Sequence, residues 1–146
     1  MLKVTALILC LLALSSCGEG DKSTPVGCLA GDEAVREALR SAPGEVAVEG
    51  TRLSACLSDT TDGGELQEVG VAYLEAAAAL ADQAAGDPEG EAALQLGYLL
   101  GAVKRSETGA QGVGYELGRR LRAEAARVPE GSKAFARGER AGSEGG

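Results

Sequence analysis

The side chains that could carry chemistry in this chain of 146 residues are four cysteines and many carboxylates, because the sequence contains no histidine. Without histidine there is no imidazole to act as a general base, a proton shuttle or a metal ligand. The cysteines are Cys10, Cys17, Cys28 and Cys56, and their spacing matches no zinc or dithiol redox motif. Their chemistry is therefore expected to be disulfide formation or modification of a single thiol.

The N-terminal segment has the pattern of an export signal. Lys3 precedes an apolar run from Val4 to Leu14, which is too short to cross a bilayer. The sequence Leu14-Ser15-Ser16-Cys17 follows directly. It resembles the lipobox of bacterial lipoproteins, in which an aliphatic residue and two small residues precede a lipidated cysteine.

This resemblance covers residues 1–18 and implies how the chain is processed. Residues 1–16 are then a signal peptide, and Cys17 carries a diacylglyceryl group with acyl chains such as palmitate. Residues 17–27 form the lipidated cysteine and a flexible tether. The protein is then extracytoplasmic and anchored to a bacterial membrane through Cys17, with the inner or outer membrane left open. The alternative is an ordinary signal peptide that happens to meet a cysteine.

The implied processing leaves one pair of cysteines. Cys10 is lost with the signal peptide and Cys17 becomes the anchor, so Cys28 and Cys56 remain. In an oxidising compartment such a pair is expected to form a disulfide. The alternative is two free, buried thiols that act as small apolar side chains.

The carboxylates offer little specific chemistry. Asp59, Asp62 and Glu65 are spaced three apart, whereas a calcium loop needs a denser alternation of oxygen ligands. We therefore expect helix capping from them, and no metal site, cofactor or catalytic residue is predicted. The alternative is a small hydrolase or lyase of the cell envelope that uses two carboxylates.

Charge limits the classes of partner. The formal net charge of −8 argues against nucleic-acid binding. The C-terminal part is basic, through Arg119, Arg120, Arg122, Arg127, Arg137 and Arg140. These arginines either complement the acidic N-terminal part or attract anionic lipid headgroups. Tyr115 lies off the apolar stripe of its helix and is a candidate contact residue for an unknown envelope protein or lipid.

Apolar periodicity predicts an all-α domain at residues 28–141, a small antiparallel bundle of four to five helices with one disulfide. Asp62 is expected to cap a long helix, Asp87-Pro88 to begin the next, and Ser132 to cap the last. Gly97 and Gly101 lie four residues apart, which would allow close approach of a neighbouring helix. The tail, residues 142–146, is expected to be disordered.

These observations favour a membrane-anchored binding or scaffolding module that acts without catalysis. The anchor would confine the domain near the bilayer and raise its effective concentration for partners in the same plane.

Overall fold

The computed structural model describes residues 23–107 and 112–146. These residues are mostly helical, which confirms the all-α prediction, with six α-helices instead of four or five. The helices are α1 (Gly31–Leu39), α2 (Leu53–Ser58), α3 (Gly63–Gly86), α4 (Glu91–Ser106), α5 (Val113–Ala125) and α6 (Lys133–Gly145). Between α1 and α2, the two-residue strands β1 (Ala47–Val48) and β2 (Thr51–Arg52) pair antiparallel. No helix in the described ranges is both long and apolar enough to span a membrane.

The four long helices, α3 to α6, alternate in direction. The first turns of α3 and α5 line one groove, and Asp82 near the end of α3 pairs with Arg127 just after α5, so these two helices are parallel. Helix α4 runs the opposite way, because Ser106 at its end lies against the beginnings of α3 and α5. Helix α6 runs parallel to α4, as contacts of Gly138 with Leu94 and of Gly142 with Tyr98 show. The bundle is therefore antiparallel between successive long helices, as predicted.

The interface between α4 and α6 is built from glycines on both helices. A Cβ atom on Gly97 would lie 2.1 Å from the carbonyl oxygen of Phe135, and one on Gly101 would lie 2.2 Å from that of Glu139. On α6, a Cβ on Gly142 would lie 2.0 Å from the carbonyl oxygen of Tyr98. The predicted close approach at Gly97 and Gly101 is therefore confirmed, since the two backbones are in direct contact.

The expectation of a disordered tail at residues 142–146 is wrong, because α6 continues to Gly145. Gly142 is buried against α4, and the Arg105 side chain donates hydrogen bonds to the carbonyl oxygens of Ser143 and Glu144. The Ser54 hydroxyl also donates a hydrogen bond to the Gly146 carbonyl oxygen. Tertiary contacts thus order a segment whose glycine-rich composition suggests disorder.

Two of the predicted helix starts are correct and one is wrong. Asp62 accepts hydrogen bonds from the amides of Gly64 and Glu65, and Ser132 accepts one from the amide of Phe135. Asp87 and Pro88, however, do not begin α4, which starts at Glu91 after Gly90. The Gly90 amide donates to the Asp87 carbonyl oxygen, so residues 87–90 form a turn instead.

The predicted tether, residues 17–27, extends too far into the domain. The buried Thr24 hydroxyl donates a hydrogen bond to the Glu65 carboxylate near the start of α3. A 3-10 helix at Val26–Leu29 follows, and a Cβ atom on Gly27 would lie 2.8 Å from the Val48 carbonyl oxygen. The domain therefore includes residues from Thr24 onwards, because these contacts hold the chain before Cys28.

Tyrosines fill the core where most neighbouring side chains are alanine, glycine or leucine. Tyr73 and Tyr98 are both buried and contribute to core packing. The Tyr73 hydroxyl donates a hydrogen bond of 2.8 Å to the Leu53 carbonyl oxygen. Burial raises the pKa of both phenols above the ordinary value, so both stay neutral at physiological pH.

Candidate functional site

The predicted disulfide is present. Cys28 in the 3-10 helix is bonded to Cys56 in α2, and both side chains are buried. The alternative of two free thiols is therefore wrong. The bond joins the start of the domain to α2 and fixes the position at which the N-terminal segment enters the fold.

The other two predicted site residues are Cys17 and Tyr115, and the structure describes only Tyr115. Cys17 lies outside the described ranges, so lipidation stays a prediction. Tyr115 is 39% exposed and lines a small cavity of about 280 Å³ with Leu57, Leu66 and Ser106. Tyr115 is thus available for contact, and its role as a contact residue stays a prediction.

The acidic residues Asp59, Asp62 and Glu65 have three separate structural partners. The Asp59 carboxylate accepts a hydrogen bond from Ser58, Asp62 caps α3, and Glu65 accepts the hydrogen bond from Thr24. Over residues 23–107 and 112–146, no three Cys, Asp or Glu side chains are grouped so that they could hold a metal ion.

Most of the C-terminal arginines take part in ion pairs. Arg119 and Arg120 both bind the Glu116 carboxylate, at 2.8 and 2.9 Å. Arg122 lies 3.6 Å from Glu107, and Arg127 contacts both Asp82 and Glu124. Among these acidic partners only Asp82 belongs to the acidic N-terminal part, so both interpretations of the basic C-terminal part stay predictions.

The first turn of α6 lies at one end of the helical bundle, and the N-terminal segment joins the bundle at the other end. That segment enters beside Glu65 in the first turn of α3. The amides of Lys133 and Ala134 instead donate hydrogen bonds to the Glu89 carboxylate, just beyond the end of α3. Because α3 has 24 residues, the two ends are about 36 Å apart. The cationic Lys133 therefore lies at the opposite end of the bundle from the contact between Thr24 and Glu65.

A different surface combines apolar exposure with acidic charge. We call it the Val71 face: the exposed side of α3 formed by Gln67, Glu68, Val71 and Glu75. Val71 is 45% exposed, and the carboxylates of Glu68 and Glu75 form no ion pair or hydrogen bond with any described residue. Glu116, in contrast, is held by Arg119 and Arg120, whereas no described residue occupies the carboxylates of Glu68 and Glu75.

The Val71 face has a groove on each side. The α3–α5 groove, of about 560 Å³, is lined by apolar side chains of both helices, including Leu66, Leu74 and Val113. Its lining also includes Glu116 and Arg120, which form an ion pair with each other. The α1–α3 groove, of about 490 Å³, is lined by Leu29 together with the carboxylates Asp32, Glu68 and Glu75, and by no Lys or Arg. Val71 lines both grooves and is the ridge between them.

Four of the large apolar side chains that are exposed lie along this continuous surface. Leu29 and Val71 line the α1–α3 groove, Val71 and Val113 line the α3–α5 groove, and Val113 and Tyr115 line the small cavity beyond it. Such a concentration of exposed apolar side chains is typical of an interaction surface.

The sequence around Val71 contains an indication of the Val71 face, although the apolar periodicity of α3 does not reveal it. Val71 lies off the apolar stripe of α3, which includes Val69 and Tyr73. Two carboxylates, Glu68 and Glu75, are three residues before it and four residues after it. The indication of an interaction surface was therefore a large apolar residue that lies between charged residues on the solvent side of a helix.

No known protein family, curated protein or solved structure matches this chain.

Proposed function

We propose that this protein is a bacterial cell-envelope lipoprotein, anchored through a diacylglyceryl group on Cys17, whose helical domain is a membrane-tethered binding module. The observation that carries the proposal is the lipobox-like sequence Leu14-Ser15-Ser16-Cys17, followed within a few residues by a disulfide-bonded domain. The Cys28–Cys56 disulfide supports the proposal, because disulfides persist in oxidising, extracytoplasmic compartments.

The short connection between anchor and domain limits how far the domain can move from the bilayer. Ser23 lies six positions after Cys17, and a fully extended chain of that length spans about 20 Å. Thr24 is held against Glu65 at the start of α3, so this end of the bundle would face the membrane. The tethered domain then meets partners of the same membrane at a high effective concentration.

Mass spectrometry of the protein from the membrane fraction tests the anchor. We expect a mature form that begins at Cys17 and carries the mass of a diacylglyceryl thioether. A Cys17→Ser variant should lack that mass, whereas a Ser16→Ala variant, which keeps a small residue before the cysteine, should retain it. A mature form that begins elsewhere, or that carries no lipid, would contradict the proposal.

A further inference from the structure

We propose that the Val71 face is the docking site for a basic amphipathic helix of a partner protein. This inference rests on the proposed function for its setting and names the class of partner that the module binds. Its central observation is an exposed apolar ridge between two grooves, with carboxylates along one side that pair with no residue of the described ranges.

The apolar part of the face suits a helix. Two grooves flanking one ridge can accept side chains of a helix laid along α3, with Val71 packed between them. Leu66 and Leu74 are half-buried in the α3–α5 groove and would contribute apolar contacts on that side. Burial of these side chains would supply the main favourable free energy of binding.

The charged part of the face favours a partner helix with positive charge. Glu68 and Glu75 are seven residues apart on α3, which places them about 10.5 Å apart along the helix axis. Lysine or arginine residues spaced seven apart on a partner helix would match that separation in either direction. Asp32 lies in the same groove but is paired with Arg36 at 3.0 Å, so the negative charge of the groove comes from Glu68 and Glu75.

The same charges argue against two other occupants. An anionic bilayer surface would be repelled by Glu68 and Glu75, because the described residues that line the α1–α3 groove include no Lys or Arg. The arginine of the α3–α5 groove, Arg120, is paired with Glu116 and does not offset them. A symmetric dimer through this face would bring like-charged carboxylates together, because the same patch meets itself across a two-fold axis.

The test measures binding of two designed peptides to the processed chain, residues 17–146 with Cys17→Ser. Every contact on which the proposal depends lies within residues 23–146, so the omitted segment contributes none of them. One peptide is a helix of about 18 residues with a leucine face and lysines seven apart, and the other carries glutamate in place of lysine. We expect the lysine peptide alone to bind, to bind less tightly as salt increases, and to shift NMR signals of Val71 and its neighbours.

Variants separate a specific site from general attraction to an acidic protein. Glu68→Gln with Glu75→Gln should weaken binding of the lysine peptide by about five- to tenfold. The matched control, Glu91→Gln with Glu130→Gln, removes the same charge from exposed positions outside both grooves and should leave binding unchanged. A Val71→Lys variant should abolish binding while circular dichroism shows an unchanged helical fold.

Several outcomes would overturn the proposal. One is equal binding of both peptides, another is equal weakening by the two double variants, and a third is a set of NMR shifts away from α3. Binding of phosphatidylglycerol vesicles that Val71→Lys abolishes would assign the face to a membrane surface instead. A concentration-dependent dimer lost in Val71→Lys would assign it to a second copy of the chain. Each of these results is independent of the lipid mass at Cys17, so the anchor and the docking site can fail separately.

Discussion

Gly138 of α6 lies against the backbone of Leu94 in α4 so closely that a Cβ atom on Gly138 would be 1.9 Å from the Leu94 carbonyl oxygen. No side chain can move aside to relieve that contact, because both sides of it are backbone. The same arrangement recurs one turn later between Gly142 and Tyr98. Helices α4 and α6 are thus in contact over several turns through main-chain atoms.

The contact predicts that Gly138→Ala destabilises the protein by about 3 kcal/mol, since the added methyl group must push two helices apart. Chemical denaturation measures this change in the free energy of unfolding. Gly70→Ala in the interior of α3 is the matched control, because nothing lies within 4 Å of a Cβ atom there. It should stabilise the protein by about 0.5–1 kcal/mol, as alanine costs less backbone entropy in a helix than glycine. Equal effects of the two substitutions would contradict the close-contact interpretation.

The start of α6 is stabilised by a carboxylate from a distant part of the chain. Glu89 accepts hydrogen bonds from the amides of Lys133 and Ala134, at 2.9 and 3.2 Å. We expect Glu89→Ala to lower the free energy of unfolding by about 1 kcal/mol, because two amides of the first turn lose their acceptor. Thermal unfolding measures it, and Glu91→Ala, an exposed carboxylate two residues later, is the control. A larger loss in the control would mean that general charge, and not capping, governs this end of α6.

The disulfide should contribute strongly to the stability of the domain. Cys28 and Cys56 are separated by 28 positions, and a loop of that size corresponds to about 3–4 kcal/mol of stabilisation. The double variant Cys28→Ser with Cys56→Ser should lose that amount in urea unfolding. Thiol labelling should find no free thiol in the unreduced, denatured chain of residues 17–146 that carries Cys17→Ser and keeps Cys28 and Cys56. Two labelled thiols per chain would contradict the bond.

Glu116 should titrate far below an ordinary glutamate. Hydrogen bonds from Arg119 and then from Arg120 lower the pKa of its carboxyl from 4.5 to about 2. Because the folded-state pKa is depressed, the contribution of this group to stability is complete above about pH 4.5 and is lost as the pH falls towards 2. NMR titration of the Glu116 carboxyl carbon measures the pKa directly.

Arg119→Gln should raise that pKa towards 4.5, because Arg119 is the main cause of the shift. Arg127→Gln, which removes a cation bound to Asp82 and Glu124, should leave it unchanged. A rise of the Glu116 pKa in both variants would indicate a response to total charge and not to the hydrogen bonds.

Several features were predictable because they depend on residues close together in the sequence. The caps at Asp62 and Ser132 satisfy amides two or three residues away, so a short motif contains all the information needed. The prediction of where α4 begins was wrong for a related reason. Asp87-Pro88 is compatible both with a helix start and with a turn, and local sequence does not decide between them.

The candidate site was only partly accessible from sequence. Tyr115 was recognised as lying off an apolar stripe, and the structure finds it exposed. The Val71 face was missed, because its significance depends on grooves that α1 and α5 form beside α3. Because α1 and α5 are distant from α3 in sequence, the residues of α3 alone do not show that grooves form beside Val71.

The amino-acid sequence by itself determined the helical class, the cysteine pair and the caps at Asp62 and Ser132, since periodicity, composition and short-range hydrogen bonds are local properties. Only the tertiary structure decided that the glycine-rich end of the chain is helical and that Thr24 belongs to the domain. It also decided that carboxylates which pair with no described residue flank an exposed valine. The physical reason is the same in each case. Backbone contact between α4 and α6, the hydrogen bond from Thr24 to Glu65, and the grooves beside Val71 all join residues that are brought together by folding.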